Sequence, residues 1–363
     1  MRGRGHQIFA EGLTRFAAAH ADPRVTAVAE RTAAPLRVAV HGRPGVGRGT
    51  VERALGGAGR AWGIAVTTGP ADVLVYATAE VFKAEDVDAI AAADRPVVGV
   101  LNKADLIGPL SDRGARASGG PIAAARRRCA ELSALAGVAV RPMIGLLTVA
   151  TLDDLDGGLW AALRTLADEP GTCLDGSFSE FLSADCPVPT EVRVRLLDRL
   201  DLFGVALAMV AVRQGRTSGQ VRALLHRMGG ADDVLRAIAA AGAELRYRRV
   251  LDAVAELEAL AVSGAVSGAV SRDVNGERIT AFLAGDDAVI ARMAAAADMA
   301  EAAGLEIGAG GGDPAEHLQA AARWQRYSRG SVGPVQRACG ADIVRGSMRL
   351  WSRSRRTLPG EGP

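Results

Sequence analysis

Short valine-rich runs alternate with amphipathic stretches up to residue 168, and beyond residue 177 the short runs stop. "LRVAVH" (36–41), "WGIAVTT" (62–68), "DVLVYAT" (72–78), "PVVGVLN" (96–102) and "VAVRPMI" (138–144) are mostly apolar, as strands buried on both faces should be. Helical stretches fall between them at about 50–57, 84–93, 121–136 and 153–168. That order predicts an α/β domain with a mainly parallel sheet. Residues 190–214, 217–228, 230–262, 286–303, 314–328 and 332–352 are long, rich in Ala, Leu and Arg, and helical by composition and period. They predict a C-terminal all-α helical bundle. Residues 6–33 read as one or two helices interrupted near Pro23. The expected organisation is an N-terminal helical segment (1–34), an α/β domain (35–170) and a bundle with a basic tail (177–363), the last two joined by "DEPGTCLDGS" (168–177). A chain of 363 residues suffices for two cores, and with 49% hydrophobic but 4% aromatic residues those cores must be built of Ala, Val and Leu.

Several classes of protein are disfavoured. Cys129, Cys173, Cys186 and Cys339 form no CxxC pair and read as buried thiols of a reducing compartment. Charged residues interrupt the first thirty positions, so no signal-peptide core is expected there. The longest apolar stretch, "LFGVALAMVAV" from Leu202, is too short to span a bilayer and reads as bundle core. A soluble, cytoplasmic protein is expected. The histidines (His6, His20, His41, His226, His317) lie far apart without partners at metal-ligand spacing, and no GxSxG or HExxH occurs. His41 reads as a polar strand end rather than a base. Asp153, Asp154 and Asp156 stand where helix N-termini prefer negative charge. A net charge of +2 argues neither for nor against a polyanion, and no nucleic-acid partner is expected.

"GRPGVGRGT" (42–50) follows the first strand run and opens a helix. Such a loop binds phosphate when successive backbone N–H groups and a helix N-terminus converge on the anion, with glycines giving the backbone room to bend. Gly42, Gly45 and Gly47 keep that part. The side-chain part is altered: Arg48 stands where a lysine would bridge the terminal phosphates, Gly49 where a hydroxyl would hold magnesium, and Thr50 comes one residue late. A glycine-rich turn without ligand is the competing reading. Fifty residues on, "GVLNKADLIG" places Asn102, Lys103 and Asp105 at the end of another strand. A carboxylate there can accept from the ring N–H and exocyclic amine of guanine, the asparagine can reach the purine's other edge, and the lysine stem can cover a ring face. Ligands of doubly wound sheets bind at those strand ends. Lysine occurs only at Lys83 and Lys103, against 41 arginines.

Together with "ADVLVYATA", "RPMIGLLTVA", "LWAALRTLA", "VPTEVRVRLLDRLDLFGVALAMVAVRQG" and "AAARWQRYS", these segments make the chain resemble the dynamin-like GTPases of actinobacteria, a branch of the P-loop GTPases. The resemblance covers most of the chain and is firmest before residue 215. It implies a P-loop GTPase-like domain joined to a helical bundle that dimerises or touches membranes. By it, Gly42, Gly47, Arg48, Asn102, Lys103 and Asp105 match nucleotide-contacting positions. Ile144–Thr148, with Gly145, Leu146 and Leu147, matches the loop near base and ribose.

The departures shape the functional expectation. Between Val51 and Ala71 there is no room for both nucleotide-sensing switches and two strands; the DxxG motif is missing, with "TTGP" (Thr67–Pro70) nearest to it. Were 62–68 and 72–78 parallel strands flanking the first, a crossover of about a dozen residues should join them. Gly69–Ala71 spans about 10 Å. Either 62–68 is not the family's third strand or it pairs antiparallel as a hairpin, and the second-switch helix is deleted in both cases. Hydrolysis needs metal, a positioned water and charge stabilisation. A degenerate, pseudo-GTPase member is therefore expected, with weak GTP or GDP binding, no magnesium and no efficient turnover. It would be a partner or regulator of an intact dynamin-like GTPase, in a homo- or hetero-oligomer. The alternatives are a structural or adaptor protein that keeps the fold and binds no nucleotide, and a slow genuine GTPase. "RGSMRLWSRSRR" (Arg345–Arg356) mixes five arginines with Met348, Leu350 and Trp351, which suits peripheral contact with the inner face of the plasma membrane or a basic disordered end. "VSGAVSGAVS" (262–271) reads as a loop and "GAGGGDP" (308–314) as a linker ending in an N-cap, Asp313.

Overall fold

The computed structural model describes residues 4–108, 120–168, 177–266, 270–308 and 313–357, with side chains for all but 264–266, 270–274, 356 and 357. The chain forms two compact units: Leu36–Ile238, and Met1–Pro35 together with Ala239–Pro363. Most of the 168–177 junction, with Cys173, and the core of the 308–314 linker lie outside the described residues, as do 267–269.

The chain opens with α1 (Gly5–His20) and α2 (Pro23–Ala33), parted where Asp22 caps α2 by accepting from the Arg24 N–H at 2.9 Å and Pro23 starts the helix. Five strands follow: β1 (Leu36–Gly42), β2 (Ile64–Val66), β3 (Val73–Thr78), β4 (Val97–Leu101) and β5 (Val140–Pro142). They form one wholly parallel sheet in the order β2-β1-β3-β4-β5. Between them run α3 (Arg48–Ala58), α4 (Ala84–Ala91) and α5 (Gly120–Ala136), and after β5 come α6 (Gly145–Ala150) and α7 (Gly157–Asp168). Every carboxyl end of the sheet therefore lies on one edge, and β1 and β3 diverge at the point where strand order reverses.

The hairpin alternative for 62–68 is corrected by the register. Three residues of this run pair, in parallel, on the side of β1 away from β3: Val66 is level with Val38, and so is Val73 across β1. Because β2 stops where β3 starts, the chain need not run back along a strand. It moves sideways by two strand spacings, about 10 Å, which the six intervening residues cover without a helix.

The domain boundaries also differ from expectation. α8 (Phe178–Ser183), α9 (Thr190–Arg213) and α10 (Ser218–Gly229) belong to the sheet unit rather than to the bundle. Their Leu196, Leu200, Val205, Met209 and Leu225 share one core with Leu147 and Leu163. The apolar helix from Leu202 is thus core, and no described helix is long and apolar enough to cross a membrane. The bundle is instead completed by the N-terminal helices. α11 (Ala231–Ala241) leads into α12 (Ala243–Val266), α13 (Val270–Ala284), α14 (Asp286–Ala302), α15 (Pro314–Arg329) and α16 (Pro334–Thr357). Phe9, Leu13, Val25 and Val28 of α1 and α2 pack with Tyr247, Leu257, Ala296, Trp324 and Ile343 of this group. Burying each such side chain contributes about 1.5–3 kcal/mol, so α1 and α2 are an integral layer of the bundle. Asp342, buried in it, accepts from Tyr247 Oη at 2.9 Å and pairs with Arg292 at 2.7 Å and Arg345 at 3.0 Å.

Asp313 caps α15 through the Ala315 N–H, at 2.8 Å. Asp156 takes the N–H groups of Gly158 and Leu159 at 2.7 and 3.2 Å, whereas Asp153 and Asp154 pair with Arg199 and Arg222 on the surface. The basic tail is helical through Thr357. Within it Arg345 is held by Asp342 and Arg349 by Asp286 at 3.2 Å, while Arg355 lies 5.3 Å from the centre of the Trp351 ring.

Candidate functional site

Three chain segments meet at the carboxyl edge of the sheet. The first is the loop after β1. Gly45 and Gly47 adopt left-handed backbone angles (φ 87° and 82°), which aim successive N–H groups toward one point. The N–H groups of Gly45, Val46, Gly47, Arg48 and Gly49 make no hydrogen bond among the described residues, whereas Thr50 and Val51 both donate to the Gly47 carbonyl at 3.0 Å. These free donors open α3, whose N-terminal dipole adds to them. Arg48 and Gly49 are the first residues of α3. Arg48 is exposed, with its Nε 3.6 Å from Glu52.

The second segment is Asn102–Asp105, directly after β4. Asn102 is 2% exposed. Its Nδ2 donates to the Val46 carbonyl at 2.9 Å and its Oδ1 accepts from the Gly145 N–H at 3.0 Å, so one side chain ties the phosphate-type loop to the third segment. Gly47 has to be glycine for a second reason here: a Cβ on it would stand 2.5 Å from Asn102 Nδ2. Lys103 is left-handed (φ 55°), and its Nζ donates to the Gly45 carbonyl at 3.2 Å. Asp105 lies in the tight turn Ala104–Leu106 and is 7% exposed. Burial pushes its carboxyl up to about 6; its own backbone N–H opposes this, the negative charge of Asp201 adds to it, and Lys103 opposes it.

The third segment, Gly145–Ala150, is a six-residue helix rather than an open loop. Of Gly145, Leu146 and Leu147, Gly145 joins the site through its N–H. The Leu147 side chain is fully buried in the core. Gly42 ends β1 and leads into the loop.

Two features carried no sequence signal. Arg43, in the loop, is bound through Nε to Asp86 at 2.9 Å and through Nη2 to the Val81 carbonyl at 3.2 Å. Asp86, 1% exposed, also accepts from Tyr76 Oη at 2.7 Å and the Lys83 N–H at 2.8 Å. Burial works against its charge, but these hydrogen bonds and the Arg43 charge outweigh burial and hold the carboxyl below its ordinary value. Burial and the bond to Asp86 push the Tyr76 phenol up to about 12. The second feature is Asp201, where α9 departs from helical geometry (φ 59°, ψ 173°). Its carboxylate holds the Leu202 N–H at 2.6 Å, and its charge reaches Asp105.

Compared with protein-family models, curated proteins and solved structures, the chain matches none.

Proposed function

We propose that the 36–238 unit binds a guanine nucleotide weakly and without efficient turnover, and that the protein serves as a non-catalytic partner or regulator of an intact dynamin-like GTPase. The observation that carries this reading is the double tie of Asn102, to Val46 and to Gly145. It draws together a loop with five free N–H donors, suited to phosphate, and a turn bearing a nearly buried carboxylate, suited to a base with adjacent N–H groups. β2 and β3 flanking β1 in parallel, with both motifs on one sheet edge, fit the same reading. The carboxylate distinguishes guanine from adenine, which presents an acceptor at ring position N1. Titration of the purified protein with labelled GDP tests it. Saturable binding that Asp105→Asn weakens by about tenfold or more supports the proposal; equal signals from both proteins refute it.

One observation favours a second reading, an adaptor that keeps the fold alone. Asn102 is satisfied at both ends by protein groups, so the tie is complete without a ligand. That reading expects no thermal shift with any nucleotide.

A further inference from the structure

The family to which the resemblance points holds its nucleotide with magnesium, but the donor set of this site does not fit that ion. The mismatch begins in the sheet register. β2 ends and β3 begins level with Val38, whereas the loop starts at Gly42. Four residues of strand separate those levels, about 13 Å, so both ends of the β2–β3 connection, Thr67 on the Val38 carbonyl and Asp72 on the Arg37 carbonyl, lie well below the phosphate donors. The single carboxylate between Glu52 and Glu80 is Asp72. It is fastened at the amino end of the sheet to the Arg37 N–H at 2.9 Å and guanidinium at 3.2 Å. Gly49 offers no side-chain oxygen, and the Thr50 methyl is turned toward Gly145. Asp86 already accepts from Tyr76, Arg43 and the Lys83 N–H. Magnesium at a nucleotide is held by one or two protein oxygens beside the phosphates and waters, and neither the Asp72 nor the Asp86 carboxylate is free to supply one here.

The positive charge at the loop is equally limited. Arg43 is committed to Asp86, Lys103 rests on the Gly45 carbonyl, and Arg48 is shared with Glu52. What remains is the ring of N–H groups, which satisfies one phosphate, the Lys103 ammonium, whose charge the Gly45 carbonyl does not cancel, and one exposed guanidinium. Each phosphate beyond what these groups meet adds about one negative charge with no further loop cation to offset it.

Resting on the guanine-nucleotide reading above, we propose that this site takes its ligand free of magnesium and prefers guanosine mono- or diphosphate to the triphosphate. The intact protein would be titrated with GMP, GDP and GTP, each in excess MgCl2 and in EDTA, by calorimetry. GDP affinity is expected to agree between the two buffers within about threefold, with GTP bound no more tightly than GDP. Weakening in EDTA beyond that margin, or GTP bound more tightly than GDP by more than it, overturns the inference and leaves the guanine site standing. No binding by any guanine nucleotide in either buffer overturns the site reading, and this inference with it.

Discussion

Replacing Asp105 with asparagine should stabilise the protein while removing the guanine selectivity proposed for it. The carboxyl is 7% exposed, and its pKa stands at about 6 instead of 3.8 because burial and the Asp201 charge disfavour its anion. A rise of this size corresponds to about 3 kcal/mol of preference for the neutral form. The folded state therefore binds a proton more tightly than the unfolded chain does. The stability linked to this group is fully present below about pH 4 and is lost as pH rises through about 6. At pH 7.5 the wild-type protein bears the whole penalty and Asp105→Asn, neutral at every pH, bears none. For a unit of this size the difference corresponds to about 6–12 °C in Tm. Differential scanning calorimetry of both proteins at pH 4, 5, 6 and 7.5 measures it. The gap in Tm should be small at pH 4 and grow to its full size by about pH 7. A gap independent of pH, or a less stable variant at pH 7.5, would refute the claim that a strained, ionised carboxylate occupies this turn. The same titration governs ligand binding: if the anion accepts the base, GDP should bind about tenfold more weakly at pH 5 than at pH 7.

Four further outcomes follow from the packing. Asn102→Ala should cost about 2–4 kcal/mol, since it strands the Val46 carbonyl and the Gly145 N–H inside the site, and denaturant unfolding followed by circular dichroism would register it. Gly47→Ala should cost about 1–3 kcal/mol through backbone strain and more through the approach of its Cβ to Asn102. Part of that second cost should vanish in the Asn102→Ala background, a coupling that a double-mutant cycle measures. Leu13→Ala, in the layer that α1 adds to the bundle, should cost about 2–5 kcal/mol and expose residues 239–357 to proteolysis before residues 36–238. His6 is held neutral by burial and by the charges of Arg246 and Arg249, with a pKa lowered to about 4. Its contribution is complete above pH 6.5 and is lost as pH falls toward 4, so His6→Gln should flatten the acid limb of the stability profile over that window.

The strands were legible because a parallel sheet covered on both faces demands continuous apolar runs, and each of the five runs contains a strand. Residues Asn102 and Asp105 were legible as a motif, and the structure puts them beside the loop; that Asn102 works as a tie was not, because its partners are the backbone groups of Val46 and Gly145, which have no sequence identity to read. Arg43 and Asp86 were missed for a related reason: an ion pair between residues 43 positions apart leaves no local pattern. The domain boundary failed differently. Leu196, Leu200 and Val205 announce a helix with a buried stripe, but periodicity says nothing about what covers the stripe. The covering surface proved to be Leu147 and Leu163 of the sheet unit, while the bundle drew its missing layer from the first 35 residues.

The misreading of residues 62–68 is the most informative. A parallel strand of full length, about six residues, would have required a return path that Gly69–Ala71 cannot supply. Only Ile64–Val66 pair, so no return is needed. The same shortening that makes the parallel arrangement possible also ends the strand below Gly42. In this chain, then, the direct β2–β3 connection and the distance of its one carboxylate, Asp72, from the level of Gly42 have a single structural cause. A hydroxyl placed at position 49 would still face no carboxylate from the β2–β3 connection, whose one acidic residue, Asp72, is bound to Arg37. Bringing such a carboxylate to the loop would require lengthening β2 by about four residues, so that its end rises some 13 Å to the level of Gly42.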